Sequence, residues 1–364
     1  MPRRRHRWDP ICDPPKGLVR PVPIDPAGGT GPTRGKTRGK KWRNTTHGLY
    51  VPSGVDPTIP EQRVLEMSML LPKGGAVTGW GACRLWLANF FDGLLPDGAT
   101  ERPVLLAMGP REHRRKRSGV TFSYDRLEPS EVVMRFGIPC ARQQRALFDE
   151  MRTVANLREA VVAMDMMAAA QVTSIARTSE YLCSRERWNG VPQVRAALSL
   201  ASEHSASPNE TRMRLIWELD AKLPHPLANR PVFDLSGRLL GIADLLDPVA
   251  GVVGEFDGAD HRGALRHSSD VDREAGFRDH DLEFFRVTGP DIPDRARVAR
   301  RMLSSRSRAK WAPERHRLWT IEPPPGWEAE LTLDEILDER DRKATLYAQY
   351  EREGEPNLQE VIKM

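Results

Sequence analysis

Residues 239–257 read LLGIADLLDPVAGVVGEFD, and this stretch decides the fold. Its two apolar runs, Leu239–Leu245 and Gly251–Phe256, read as strands, and both carry acids toward their ends. Asp244 sits in the first. Glu255 and Asp257 sit in the second, where side-chain alternation puts them on one face. If the strands are neighbours, Asp244 stands beside that pair at one end of the sheet. Three converging carboxylates repel one another unless a cation intervenes. Magnesium (or manganese) suits the place: Mg²⁺ is a hard ion that prefers oxygen ligands, acidifies a bound water and offsets charge on a phosphate oxygen. His261, Arg262, Arg266, His267, Asp270 and Arg273 follow closely, types that serve as general acid/base or phosphate clamp.

Working outward, Ser207-Pro208-Asn209-Glu210 opens a helix running to about Lys222, and a strand over Arg230–Leu235 joins Leu239 through a Ser236-Gly237 turn. Beyond Asp257 come a helix from Ser269 to His280, a strand at Glu283–Thr288 (EFFRVT) and a helix from Pro293 to Ser304. The order α-β-β-β-α-β-α predicts an α/β sheet core with helices packed on it. Helical periodicity at Gln143–Met151, Leu157–Ala170 and Val191–Ala201 marks a mixed, helix-rich half before it, so the fold class is α+β / α/β.

The segments SPNETRMRL, GIADLLDP, VVGEFDGADHR and DVDREAGFRDHDLEFFRVT together resemble the PD-(D/E)XK nuclease superfamily, most closely its Vsr-like, mismatch-repair endonuclease branch. The resemblance spans about residues 207–304. It implies a restriction-endonuclease-like α-β-β-β-α-β core, DNA as partner, and Mg²⁺-dependent (or Mn²⁺-dependent) hydrolysis of phosphodiesters. It implies that Glu210, Asp244, Glu255 and Asp257 belong to the metal site, that His261 assists and that Arg273 is the trailing helix arginine; the expectation is that Arg262, Arg266 or Arg273 steadies the phosphate. The strict pattern has Lys where Asp257 stands, and no Lys occurs between Lys222 and Lys310. The alternatives are therefore a DNA-binding, antitoxin-like regulator with an inactive nuclease core, or a protein-interaction module.

Each residue also has a plainer reading. Glu210 completes a capping box with Ser207, Asp244 is a strand-end turn former, and Asp257-Gly258 is a turn signal. His261 is a lone histidine, and Arg273 pairs with Asp270 or Asp272. Glu255 resists this treatment, because a carboxylate following Val252-Val253-Gly254 in a buried strand is costly unless paired or metal-bound.

The chain has 364 residues and a formal charge of +5, unevenly spread. Residues 1–43 hold twelve Lys/Arg and three acids, a surplus of +9 that leaves −4 for the remainder. This Pro/Gly-rich stretch reads as a flexible basic arm, either a solvated linker or a contact to a polyanion. Four parts follow: the arm at 1–43, a helix-rich part at 44–205, the nuclease-like part at 206–309 and an extension at 310–364 with a charged helix over Leu333–Glu351. The run Arg111, Arg114, Arg115, Lys116, Arg117 falls between the strand candidates PVLLAM and GVTFSYDR, as an exposed hairpin tip or a finger on a nucleic-acid backbone. HGLYVPSGV, AVTGWGACRLW, SGVTFSYDRLEP and QQRALFDEM together bear a fainter resemblance, of layout alone, to AbiEi-type antitoxins of bacterial toxin–antitoxin systems. Four scattered cysteines without a CxxC fit reduced thiols and argue against zinc, and no small-molecule cofactor is evident. With no apolar stretch near about 18 residues and no apolar segment after the basic N-terminus, the expectation is a cytoplasmic protein without a membrane span.

Overall fold

The computed structural model describes residues 9–46, 48–258, 273–327 and 331–353, with side chains to 348. Among the described residues the protein is mixed α+β with three sheets. The first is small: β1 (Val22–Pro23), β2 (Trp42–Thr46) and β3 (Leu49–Pro52), in the order β1-β3-β2. The helix α1 (Pro60–Ser68) follows it.

The second sheet combines β4 (Ala76–Thr78), β5 (Val104–Ala107), β6 (Val120–Ser123), β7 (Val132–Arg135) and β8 (Ile138–Ala141) in the order β6-β5-β4-β8-β7. The helices α2 (Gly79–Leu85), α3 (Gln143–Thr153), α4 (Leu157–Ala169), α5 (Ile175–Cys183) and α6 (Val191–Leu198) accompany it. One apolar core joins this sheet to its helices, and the methionines Met151, Met164, Met166 and Met167 fill it.

The third sheet carries the stretch that opened the sequence reading. It is built from β9 (Leu227–Asp234), β10 (Leu239–Asp247), β11 (Val252–Asp257), β12 (Glu283–Thr288) and β13 (Trp319–Thr320), in the order β12-β11-β10-β9-β13. The pairs β9/β10 and β10/β11 are antiparallel, whereas β11/β12 is parallel and crosses over through a helix at 273–279, α8. Before the sheet comes α7 (Pro208–Leu215), continued by a π turn at Ile216–Asp220, and after it α9 (Arg295–Arg308).

Both faces of this sheet are covered, and alternate residues go to opposite cores. Leu245, Val252 and Phe285 join Trp217, Val298 and Met302 on one side, while Leu246, Val253 and Phe284 join Phe277 and Trp319 on the other. Gly254 is needed where it stands, since a Cβ there would lie 2.3 Å from the Phe285 ring. The sheet also reaches past residue 309, because Trp319 pairs with Asp234 and is buried in its core.

Two expectations need correction. Residues 9–43 are not a flexible arm. Cys12 N–H donates to Leu87 O, Gln62 holds both backbone groups of Val19, and Val22–Pro23 pairs with β3. Proline and glycine here shape turns, one of them knotted on the Asp25 carboxylate, which accepts from Ala27, Gly29 and Thr30 N–H and from the Thr30 hydroxyl. Secondly, the basic run at 111–117 is not a hairpin tip, because β5 and β6 are parallel and their connection must cross over. The run is exposed apart from half-buried Glu112, and it is pinned by Tyr124, whose hydroxyl accepts from Arg114 N–H and whose ring packs on His113.

α7 meets the helical half through charge. The Asp165 carboxylate of α4 is buried and accepts from Arg214 Nη2 at 2.7 Å, from the Thr211 hydroxyl at 2.9 Å and from Ser202 N–H at 2.8 Å. Removing one partner of a buried pair strands the other charge. Asp165→Ala is therefore expected to lower stability by about 3–5 kcal/mol in urea unfolding; a loss below about 1 kcal/mol would show that Arg214 finds solvent or another acid.

Candidate functional site

The acids predicted in the sequence arrive from three separate elements. β10 and β11 pair as far as Leu245 opposite Gly254. One step further Asp244 Oδ2 accepts the Phe256 N–H at 2.8 Å, so a side chain takes over from the backbone ladder. The Asp244 carboxyl is thereby held at the parting of two central strands.

Glu210 comes from the first turn of α7. Its Oε2 accepts from Ala206 N–H and from Asn229 Nδ2, each at 2.8 Å, while its own N–H donates to the Ser207 N-cap at 3.3 Å. Half of the capping box forms: Ser207 caps the Glu210 N–H, but the Glu210 carboxylate reaches the Ala206 N–H, not that of the N-cap, and it also stands close enough to act on Asp244. Asn229 can serve because it adopts a left-handed backbone (φ 47°) inside β9, a conformation Asn tolerates better than most residues.

Glu255 is buried in β11 and accepts from Arg273 Nη2 at 2.5 Å. Arg273 opens α8, and its stem lies over Gly241 of β10, where a Cβ would meet Arg273 Cδ at 3.0 Å and Phe277 Cζ at 2.8 Å. Gly241 therefore makes the room through which this guanidinium reaches Glu255. Asp257 lies at the open end of β11, with Arg286 Nη1 4.0 Å from its Oδ2.

Burial, and after it the negative charges of Glu210 and Glu255, hold the Asp244 carboxyl well above the usual carboxylate range. The Phe256 N–H and Arg273 act in the opposite sense but do not prevail. The Asp244 carboxyl thus favours its protonated form more than a free carboxylic acid does.

The donor set is all oxygen and suits a hard divalent cation. Even so, among the described residues no three His, Cys, Asp or Glu side chains are gathered as a ready metal cage. Arg273 on Glu255 supplies neutralisation that a metal otherwise would.

The structure thus brings together Glu210, Asp244, Glu255 and Arg273, and leaves Asp257 at the margin. His261, Arg262 and Arg266 lie outside the described residues, as do Asp270 and Asp272. Arg286 was not singled out in the sequence. It stands in register with Glu255 on β12, 3.5 Å from Glu274, and its signal was a charge inside the otherwise apolar run EFFRVT. The four cysteines form no disulfide, and among the described residues no helix is long and apolar enough to cross a membrane.

Comparison with protein-family models, with curated proteins and with solved structures finds no match to this chain.

Because folded Asp244 keeps its proton where an unfolded carboxyl has lost it, the folded state binds the extra proton. Stability then declines as pH rises above about 4 through the folded pKa. Asp244→Asn keeps an acceptor for the Phe256 N–H and removes the titration. In chelator, the variant is expected to be more stable than the wild type at pH 8, with a smaller gap at pH 5, by urea unfolding at both pH values. A wild type at least as stable at pH 8 would mean that Asp244 is ionised and compensated.

Proposed function

We propose that residues 206–309 form the core of a Mg²⁺-dependent (or Mn²⁺-dependent) nuclease-fold protein that hydrolyses phosphodiesters of DNA. The observation that carries this reading is the convergence of Glu210, Asp244 and Glu255, from α7, β10 and β11, at the parting of two central strands. The negative charges of Glu210 and Glu255 bear on the buried Asp244 carboxyl and favour arrival of a cation there.

Asp244 and Glu255 would hold the metal, with Glu210 and Asp257 completing its surroundings. A bound Mg²⁺ supplies a more acidic water and neutralises charge on a phosphate oxygen. His261 is the residue proposed to move the proton, and Arg262 or Arg266 to steady the phosphate. Arg273 would have to release Glu255 before metal and acid could meet, and the freed guanidinium would then face the phosphate. The exposed cations at Arg111, Arg114, Arg115, Lys116 and Arg117 offer contacts to a nucleic-acid backbone.

A second reading is favoured by the Arg273–Glu255 pair together with Asp257 in the place of Lys: a DNA-binding regulator whose nuclease-like core does not cleave. Plasmid nicking separates the two. The nuclease reading predicts cleavage by wild type in Mg²⁺ or Mn²⁺, reduced about 100-fold or more in Asp244→Ala and Glu255→Ala. Salt-sensitive DNA binding without cleavage of any DNA form would contradict it and support the regulator.

A further inference from the structure

The small sheet β1-β3-β2 has two unlike faces. On one, Val51 is fully buried, and the Arg43 guanidinium makes two bonds to Glu66 of α1, at 2.7 and 3.0 Å. This face docks the sheet on the body. Alternation and register place other residues on the opposite face. Trp42 stands across from Pro52, and Asn44 across from Tyr50, which in turn faces Val22. Trp42 and Tyr50 are half-buried, Asn44 and Pro52 exposed.

The segment leading into β2 rims the sheet with cations. Arg34, Lys36, Arg38, Lys40 and Lys41 are all exposed, and none enters an ion pair among the described residues. Their backbone is ordered locally, by the turn at Lys36–Arg38 and by Ser53 N–H donating to Lys41 O. The Asp25 carboxylate, the acid nearest in sequence, is spent on its own loop, and several N–H and hydroxyl donors lower its pKa to about 2. Five cations within eight residues, on a fixed ledge beside a tryptophan and a tyrosine, combine a backbone-tracking charge with faces on which bases stack.

We propose that this face of β1-β3-β2 binds single-stranded nucleic acid, the cations of residues 34–41 contacting phosphates and Tyr50 and Trp42 stacking on bases. A duplex offers the same phosphates but keeps its bases stacked internally, so the aromatic residues commit the surface to a single strand. The site stands apart from the carboxylate cluster and does not depend on it.

The test is fluorescence anisotropy of the full chain with a labelled thymidine oligonucleotide of about 20 nucleotides and a duplex of equal length, at low and moderate salt. The expected result is salt-dependent binding that prefers the single strand. Lys36→Glu/Lys40→Glu/Lys41→Glu should weaken it about tenfold or more and flatten the salt dependence. Tyr50→Ala should weaken it about five- to tenfold, and Tyr50→Phe should restore it, with circular dichroism unchanged throughout. No binding by wild type, preference for the duplex, wild-type affinity of the triple variant, or wild-type affinity of a folded Tyr50→Ala would each overturn the proposal.

Discussion

The arrangement depends on one buried ion pair. Arg214 is 2 % exposed and Asp165 fully buried, so neither charge has water to fall back on. Arg214 spends its donors on Asp165, on Glu218 one turn along and on the Leu200 carbonyl, while Asp165 is satisfied from three sides. Burial nevertheless pushes the Asp165 carboxyl upward, which is the cost of charge in an interior. In return the pair fixes the rotation of α7 against α4. Rotation matters, since Glu210 and Arg214 occupy one helix a turn apart. The two share one face of α7, so holding Arg214 on Asp165 also holds Glu210 a turn earlier, where Asn229 receives it. The outer bridges Arg158–Asp220 at 2.7 Å and Arg212–Glu159 at 2.9 Å add less, being partly exposed.

Local pattern made much of the third sheet legible. Alternating apolar residues bounded by turn formers located β9, β10 and β11 within a few residues, and EFFRVT gave β12 with both ends correct. Its partner β13 escaped because two residues, Trp319 and Thr320, carry no periodicity of their own. β7 and β8 are similarly short, and α5 was lost among polar residues that its N-cap Ser174 organises. The larger misreading was of residues 9–43. Composition identified turns but not what the turns pack against, and contacts such as Gln62 to Val19 span 43 positions.

The candidate site shows the same division. Spacing placed Glu255 and Asp257 on one strand and Asp244 on its neighbour, because strand alternation is local. Which charges meet was not local: Arg273 crosses to Glu255 over a glycine of β10. The outcome is an acidic centre beside which, among the described residues, Arg273 is committed to Glu255, while exposed cations lie far along the chain, at 34–41 and 111–117. An acidic centre repels a polyanion unless it is neutralised, so on the proposed reading the exposed cations would supply the attraction and the carboxylates the chemistry.

The central proposal is that Glu210, Asp244 and Glu255 would take up a divalent cation once Arg273 releases Glu255. Electron paramagnetic resonance of Mn²⁺ titrated into the full chain tests this directly. The account predicts one bound Mn²⁺ per chain, lost in Asp244→Asn and tightened about tenfold or more in Arg273→Ala, as expected when a competing charge is removed. No bound Mn²⁺ in either wild type or Arg273→Ala, or equal binding by wild type and Asp244→Asn, would contradict it.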